Sequence, residues 1–437
     1  MKAGLPAHEV TTAHLGAAYP FMVCPGFGGE GIYIGRDLLG GAFTFDPFIL
    51  YTRGVLTNAN MVVIGQIGRG KSSFVKSFLW RNAVFGRQAW VVDPKGEYGP
   101  LAHAWGVEPL ILRPGGSVRL NPLDGTGMED SERRQVELLS ALGAACLRRD
   151  LLPTEHAAAQ LALRAAAASS MNRPTIPGVV AALLAPSVEA ARSIHTDVDT
   201  LTVMGRDLGL EMRRLVEGDL RGMFDGETSP GIDLLSPLVV LDLSAVYSSP
   251  ALGVLMTCAT AWLTAVLSSC PSRSDSESVA GPVAPQRLVV VDEAWAILSN
   301  LGVARWLQAS WKLSRSFGVA NMAVLHRLSD LRSAGAAGSE QVSLAQGLLS
   351  DSETRIVYAQ SPGEVEACRE LIGVTATEAG LLPRLRRGVA LWKIGGRSFI
   401  VEHRLGRAEE QIVDTDARMR AVATSPAAHP VPDGRSE

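Results

Sequence analysis

The sequence predicts an α/β fold with a mainly parallel sheet and one all-helical subdomain inserted into it. Short apolar runs rich in valine alternate with helix-like segments over residues 61–122 and again from 230 to 412. Such alternation is typical of a parallel sheet with helices on both faces. Between the two stretches lies a segment rich in alanine, leucine and arginine with almost no strand pattern. Three of the apolar runs end in aspartate, which places acidic groups at one edge of the predicted sheet.

The first element is a strand, a loop and a helix around Gly65-Gln-Ile-Gly-Arg-Gly-Lys71-Ser72, which has the G-x-x-x-x-G-K-S pattern of the P-loop NTPases. Residues 60–64 before it are a β-branched run that predicts a buried strand, and residues 73–80 after it have helical spacing. At such a turn, glycines and the helix N-terminus direct backbone N–H groups at phosphates. The residues predicted to bind nucleotide are Gly65, Gln66, Ile67, Gly68, Arg69, Gly70, Lys71, Ser72 and Ser73.

This motif predicts ATP and Mg²⁺ as the ligands. In a P-loop, the lysine reaches the β- and γ-phosphates and the following hydroxyl coordinates the metal. Lys71 and Ser72 occupy these two positions. We therefore expect a nucleoside triphosphate to bind here with its magnesium ion.

The domain organisation follows from these patterns. Residues 1–60 are predicted to be a β-rich lead-in. Residues 61–124 and 230–412 are predicted to form the two parts of a RecA-like P-loop NTPase core, separated by an all-helical insertion over 125–229. The proline-rich, polar residues 413–437 predict a disordered tail.

Composition indicates a globular, cytoplasmic protein. Of 437 residues, 47% are hydrophobic and 19% charged, and the formal net charge is −3, so no overall basic field indicates nucleic-acid binding. A ring-shaped motor with a few basic residues in its pore is compatible with that charge. The five cysteines and eight histidines are dispersed, which predicts reduced thiols and no metal site built from side chains alone. The N-terminus lacks the pattern of a signal peptide.

One uncharged segment, residues 250–270, is about long enough to span a bilayer. It lies between the strand-like runs 238–242 and 287–292. A helix that connects two parallel strands is itself buried, which explains the apolar composition. We therefore predict a core helix, and a protein that is at most peripheral at the cytoplasmic face of the membrane.

The second half of the predicted site is the tandem pair Asp292-Glu293, which follows three valines at a strand end. Asp93 and Asp242 also end strands, but glutamate follows aspartate only at Asp292. In NTP hydrolysis the first carboxylate holds the Mg²⁺ shell and the second orients and polarises the attacking water. We assign these roles to Asp292 and Glu293. Asp93 and Asp242 are predicted to be structural, or to lie at the edge of the same pocket.

Three further residues are candidates for catalysis. His326 follows the apolar run 318–325, at the position where such ATPases place a γ-phosphate sensor. The alternative is that His326 is a polar residue at a strand end that does not contact the nucleotide. Ring ATPases also take an arginine from the neighbouring subunit, and Arg315 and Arg355 are the candidates. The arginine cluster at 384–387 is predicted to be a solvated turn rather than a DNA contact.

Taken in order, the motifs resemble the FtsK/HerA class of hexameric motor ATPases. They are the G-x-x-x-x-G-K-S loop, Val-Val-Asp-Pro-Lys-Gly-Glu-Tyr at 91–98, Phe-Asp-Gly-Glu-Thr at 224–228, and Val-Val-Asp-Glu-Ala-Trp at 290–295. Within that class the chain is similar to the type IV secretion and conjugation ATPases of the TraC kind, over residues 30–410. The resemblance implies a hexameric ring in which Lys71 and Ser72 bind ATP–Mg²⁺, Asp292 holds the metal shell and Glu293 activates water.

The chain departs from this family in two places. The sensor position usually holds glutamine, and this chain has His326. Family members also commonly carry a large N-terminal domain that docks on the membrane channel, whereas about 60 residues precede the phosphate loop here. We expect another polypeptide to supply that domain, or docking to differ.

The leading functional prediction is an ATP-driven motor for DNA or protein transfer through a type IV secretion or conjugation channel at the inner membrane. Its predicted partners are other copies of the chain, channel components and DNA. A HerA-like DNA translocase without a channel is one alternative. The other is an assembly switch, in which the nucleotide state changes a partner interface and moves nothing.

Overall fold

The computed structural model describes residues 26–38, 41–124, 131–269, 285–298, 301–313, 317–329 and 340–414. Its strands are β1 (Ile32–Asp37), β2 (Ala42–Phe45), β3 (Met61–Ile64), β4 (Gln88–Asp93), β5 (Leu110–Ile111), β6 (Leu238–Asp242), β7 (Arg287–Val291), β8 (Val319–Leu325), β9 (Thr354–Tyr358), β10 (Val389–Ile394) and β11 (Arg397–His403). Its α-helices are α1 (Pro47–Thr52), α2 (Lys71–Asn82), α3 (Gly99–Ala104), α4 (Ser131–Leu147), α5 (Pro153–Ser169), α6 (Ile176–Leu184), α7 (Val188–Ser193), α8 (Val198–Val216), α9 (Leu252–Ser269), α10 (Trp295–Leu298), α11 (Leu301–Leu313), α12 (Glu340–Ser350), α13 (Val365–Ile372), α14 (Ala376–Leu381) and α15 (Arg407–Val413).

All the strands belong to one eleven-stranded sheet with the order β2-β1-β11-β10-β9-β3-β8-β7-β4-β6-β5. From β9 to β5 the neighbours pair in parallel, as the sequence predicts. From β2 to β9 they pair antiparallel. The strand before the phosphate loop, β3, lies between β8 and β9, so the carboxyl ends of β8, β7 and β4 follow it in order along one edge.

The central strands are buried on both faces. In β3, Val62 and Ile64 belong to one apolar core and Met61 and Val63 to the core on the opposite face. Burial on both faces is the reason that these strands are continuous apolar runs rather than alternating ones. Each fully buried side chain of this size contributes about 1.5–3 kcal/mol relative to an exposed one. The edge that carries the polar residues is therefore held by a rigid centre.

The uncharged segment forms the core helix α9, which confirms the prediction. Its residues Met256, Cys258 and Trp262 are fully buried. Thr257 and Thr260 donate their hydroxyls to carbonyls one turn earlier in the same helix, so the polar atoms are satisfied inside the core. No helix among the described residues has the length and hydropathy that crossing a membrane requires.

Helices α4 to α8 follow β5 and precede β6, and the Phe-Asp-Gly-Glu-Thr motif fastens the base of this helical insertion. The Thr228 hydroxyl oxygen accepts from the Asn121 backbone N–H at 2.9 Å and from Trp262 Nε1–H at 3.0 Å, and it donates to Asp124. The Asp225 carboxylate accepts from Arg119 and from the Gly222 N–H, both at 2.9 Å. The motif thus joins the chain entering the insertion to the chain leaving it and to α9.

Thr228→Val is expected to destabilise the protein by about 2–4 kcal/mol, because it leaves two donors without their acceptor at little change in volume. The measurement is chemical denaturation followed by circular dichroism. Thr202→Val is the matched control, since the Thr202 hydroxyl only donates to the Val198 carbonyl in its own helix. An equal loss in the free energy of unfolding for the two variants would contradict the proposal that Thr228 holds the base of the helical insertion together.

Candidate nucleotide-binding and catalytic site

The phosphate loop connects β3 to α2, and its glycines are required by its geometry. Gly70 is the N-cap of α2 and has a left-handed backbone with φ of +106°. A Cβ on Gly65 would lie 2.5 Å from the Cβ of Tyr358, so the loop could not approach β9 as closely. The N-cap provides no side-chain hydrogen bond to α2. The first N–H groups of α2 therefore suit an anion in front of them.

Backbone hydrogen bonds from three sides hold the loop in place. Gly65 N–H donates to the Leu325 carbonyl at 3.3 Å, and Gln66 N–H to the Ala359 carbonyl at 3.1 Å. Gly388 N–H donates to the Arg69 carbonyl at 2.9 Å. The arginines at 384, 386 and 387 are exposed, in the turn that leads into Gly388. The loop is thus preorganised by β8, by β9 and by the connection to β10.

Lys71 points its ammonium group onto the phosphate loop. Its side chain is 3% exposed, and Nζ donates to the carbonyl of Gly65 and, at 2.9 Å, to that of Gln66. Burial lowers the pKa of Lys71 to about 8, although the charges of Asp292 and Glu293 act in the opposite direction. A phosphate here would replace the carbonyl acceptors and favour the charged form of the lysine.

Asp292 lies directly after β7 and is buried. Its Oδ1 accepts the Glu293 N–H at 2.9 Å and its Oδ2 accepts the Tyr98 hydroxyl at 3.2 Å. Burial and the adjacent Glu293 charge raise the pKa of Asp292, so a nearby cation would stabilise its ionised form. Ser72 is half-buried in the first turn of α2.

These two residues fit a magnesium ion that arrives with a nucleotide. Mg²⁺ typically takes one or two protein oxygens and completes its shell with water and phosphate oxygens. The part of the chain that the structure describes contains no cluster of three His, Cys, Asp or Glu side chains that would hold a metal alone. Ser72 Oγ and the Asp292 carboxylate are hard oxygen donors of the type Mg²⁺ prefers.

Glu293 is enclosed by three donors and is 1% exposed. Its Oε1 receives the Lys95 ammonium and lies 2.5 Å from His326 Nε2, and its Oε2 accepts Trp295 Nε1–H at 2.5 Å. Burial alone would raise the pKa of Glu293, but the contacts with His326 and Lys95 lower it to about 2. The carboxylate is therefore ionised, and the two donors on Oε1 occupy both acceptor sites of that oxygen.

The backbone of Glu293 is also unusual, with a left-handed φ of +52°. Such a conformation costs a non-glycine residue about 1–3 kcal/mol and is often found at functional sites. Here the Glu293 N–H bonds to the Asp292 side chain, which helps to hold the turn. The two carboxylates are thus fixed relative to each other.

Asp93 and Asp242 each accept backbone N–H groups from the turn that follows their strand. Asp93 is fully buried and accepts the backbone N–H groups of Lys95 at 3.1 Å and Tyr98 at 2.9 Å. Burial raises the pKa of Asp93 to about 7. Asp242 accepts the Ser244 N–H at 2.8 Å. Asp93 therefore shapes the turn after β4 that brings Lys95 and Tyr98 to Asp292 and Glu293.

The structure brings His326 into the site but gives Arg355 other contacts. His326 follows β8 and meets Glu293, and its role as a γ-phosphate sensor stays a prediction. The Arg355 guanidinium donates to the carbonyls of Leu349, Ser350, Ser352 and Ile372 at 2.9–3.2 Å. It thereby closes the ends of α12 and α13 in its own chain, which argues against a role in a neighbouring subunit. Arg315 lies outside the described residues.

Sequence reasoning assigned no chemistry to Lys95, Tyr98 or Trp295. Lys95 stands two residues after the end of β4, and β4 is the parallel neighbour of β7. The carboxyl ends of parallel neighbours meet at one edge of a sheet, so the position of Lys95 just after β4 could have indicated that it lies near Glu293. That inference requires knowing that β4 and β7 are neighbours, which the sequence does not show.

Comparisons with known proteins identify the fold. No protein-family model and no curated protein sequence matches the chain. Among solved structures, VirB4 of Thermoanaerobacter pseudethanolicus is similar with a TM-score of 0.70 and 21% identity, over 88% of this chain and 99% of that chain. The bacterial conjugative coupling protein TrwB is similar with a TM-score of 0.58 and 13% identity, over 87% and 90%.

TrwB in complex with ADP and Mg²⁺ is similar as well, with a TM-score of 0.57 and 14% identity, over 88% of this chain and 92% of that chain. These similarities confirm the predicted α/β fold, which the chain shares with VirB4 and with the conjugative coupling protein TrwB.

Proposed function

We propose that the chain is an ATP-hydrolysing motor that powers the transfer of DNA or protein through a type IV secretion or conjugation apparatus. The observation that carries the proposal is the convergence of Lys71, Asp292, Glu293 and His326 at the carboxyl ends of three neighbouring strands. Similarity in fold to VirB4 and to the coupling protein TrwB, which has been solved with ADP and Mg²⁺, supports it.

The proposed reaction is attack of water on the γ-phosphorus with ADP as the leaving group. Lys71 and the loop N–H groups bind and orient the triphosphate group of the nucleotide. Ser72 and Asp292 would hold Mg²⁺, which neutralises charge on the β- and γ-phosphates when bound. Glu293 accepts a proton from the attacking water, and His326 lies where the γ-phosphate would be sensed.

We further propose a ring of six copies that works at the cytoplasmic face of the membrane with channel components. Lys71 and Lys95 bring ammonium groups to the described site, and an arginine from the adjacent subunit would supply further positive charge in the transition state. Arg315 is the candidate, since the Arg355 guanidinium is engaged within its own chain.

ATPase activity is expected to rise more than linearly with protein concentration, because each site needs its neighbour. Mixing Arg315→Ala with Lys71→Ala subunits should recover activity that neither variant has alone. Arg355→Ala is the matched control and should show no recovery when mixed with Lys71→Ala. Specific activity that stays constant on dilution, with monomers only, would contradict the ring.

One observation favours a nucleotide-dependent assembly switch as a second candidate function. Lys95 and His326 take both acceptor sites of Glu293 Oε1, so this oxygen cannot accept a hydrogen bond from water in the described state. Tight ATP binding with almost no turnover under all conditions would support the switch. Turnover stimulated by DNA alone would support a HerA-like translocase, and turnover only with channel components would support secretion.

A further inference from the structure

Lys95 joins the two residues on which hydrolysis and γ-phosphate sensing would depend. Its ammonium contacts Glu293 Oε1 and lies 3.1 Å from His326 Nε2. On its other side it lies 5.8 Å from the centroid of the Tyr247 ring. The side chain is 23% exposed, compared with 1% for Glu293. Lys95 is therefore the more exposed of the two side chains on Glu293 Oε1, since the His326 side chain is 16% exposed.

The backbone that carries Lys95 is fixed, so its side chain is the part that can move. Asp93 accepts the N–H groups of Lys95 and Tyr98. Gly96 next to it has a left-handed φ of +69°, and a Cβ there would lie 3.1 Å from the Ser244 side chain. Lysine has a flexible four-carbon stem with a charge at its end. The ammonium can thus change partner while the turn stays in place.

Lys95 and His326 together take both acceptor sites of Glu293 Oε1, so this oxygen cannot also accept a hydrogen bond from a water. A general base needs the reacting water within hydrogen-bond distance, so Oε1 can act as the base only after one of these two donors leaves. The indole of Trp295 belongs to the same turn as Glu293, and His326 is fixed at the end of a buried strand. Lys95 is the donor whose departure opens Oε1 with least rearrangement.

The γ-phosphate is the anion that can take Lys95 from Glu293. A nucleotide on the phosphate loop places its γ-phosphate between the loop and the carboxyl ends of β7 and β8. Lys95 is close enough to Lys71 for the two charges to repel each other. A phosphate carries more charge than a carboxylate, and lysine is a common phosphate ligand.

We propose that Lys95 is a γ-phosphate-binding residue, held on Glu293 in the nucleotide-free chain and transferred to the γ-phosphate when ATP binds. The proposal rests on the proposed function, because it needs ATP in this site. The transfer frees Glu293 Oε1 for the attacking water. The base would thus become available only when a triphosphate is present.

The test is equilibrium binding of ADP and of a non-hydrolysable ATP analogue, each with Mg²⁺, to the full chain. Lys95→Met should weaken binding of the triphosphate by about tenfold or more and leave ADP binding unchanged, because the lost contact is to the γ-phosphate. Lys95→Arg should retain most of the preference for triphosphate. Lys393→Met is the matched control: it also breaks a half-buried ion pair, with Glu378 at 3.0 Å, and should change neither affinity.

The double variant Lys95→Met/Glu293→Gln distinguishes two explanations for weaker triphosphate binding by Lys95→Met. One is the loss of a direct contact between Lys95 and the γ-phosphate, and the other is repulsion between the γ-phosphate and a Glu293 charge that Lys95 no longer screens. If Lys95 binds the γ-phosphate, the double variant still binds the triphosphate weakly. Recovery of the wild-type preference in the double variant would overturn the proposal, as would an unchanged preference in Lys95→Met. A wild-type chain that binds neither nucleotide would overturn the proposed function itself, which is a different result.

Discussion

Lys71→Ala is expected to weaken ATP binding by about 10–150-fold and to abolish hydrolysis, while the protein stays folded. The substitution removes the cation that faces the phosphates, and a charge-assisted contact of this kind is worth about 1.5–3 kcal/mol even before transition-state effects. The loop should keep its shape, because the backbone hydrogen bonds of Gly65, Gln66 and Arg69 that anchor it remain when the two bonds from Lys71 Nζ are lost.

Thermal unfolding with and without ATP–Mg²⁺ measures both parts of this prediction. A ligand at 100 times its Kd stabilises the folded state by about 2.7 kcal/mol, so the wild-type transition should move upward. The Lys71→Ala transition should move upward much less at the same nucleotide concentration. Lys312→Ala, at an exposed lysine of α11, is the control and should behave as wild type. Nucleotide-dependent stabilisation of Lys71→Ala equal to that of wild type would refute the site assignment.

Local patterns were sufficient to predict the nucleotide-binding half of the site. The run 60–64, the glycine-rich loop and the helical spacing after Lys71 lie within about twenty residues of each other, and they form β3, the loop and α2. The valines before Asp292 form β7 for the same reason, since strands buried on both faces are continuous apolar runs. These elements depend little on distant parts of the chain.

The antiparallel part of the sheet depends on pairings between distant segments, and the sequence did not predict it. β1 pairs with β11, with Gly35 opposite His403. The two segments lie at opposite ends of the described chain, and each is short and only partly apolar. The contacts of Arg355 could not be predicted for the same reason, because its guanidinium bonds carbonyls of two different helices. An exposed arginine and one that closes helix ends look alike in a sequence.

The state of Glu293 was equally inaccessible from the sequence. The tandem Asp-Glu at a strand end predicted which residue would activate water. Its left-handed backbone and its three donors arise from the meeting of β4, β7 and β8. Lys95 lies almost 200 positions from Glu293 in the chain, so only the order β8-β7-β4 brings them together. The sequence thus predicts the identity of the base but not how it is restrained.

Glu293→Gln is expected to leave ATP binding intact and to lower the rate of hydrolysis by about 10²–10⁴-fold. The amide keeps the shape of the side chain, and its oxygen can accept from either His326 or Trp295, which bond different oxygens of Glu293, but it cannot take a proton from water. ATP bound to this variant should therefore persist, and any ring that ATP stabilises should accumulate. Single-turnover hydrolysis and equilibrium binding of ATP measure the two effects separately.

Asp242→Asn is the matched control for Glu293→Gln, because Asp242 also ends a parallel strand, β6, and is only partly buried. Its carboxylate accepts the Ser244 N–H, and an asparagine oxygen preserves that bond, so hydrolysis should change by less than about threefold. A larger loss of hydrolysis in Asp242→Asn than in Glu293→Gln would place the base at the end of β6. A Glu293→Gln chain that hydrolyses ATP at the wild-type rate would exclude Glu293 as the residue that activates water, and its ion pair with Lys95 would then be structural.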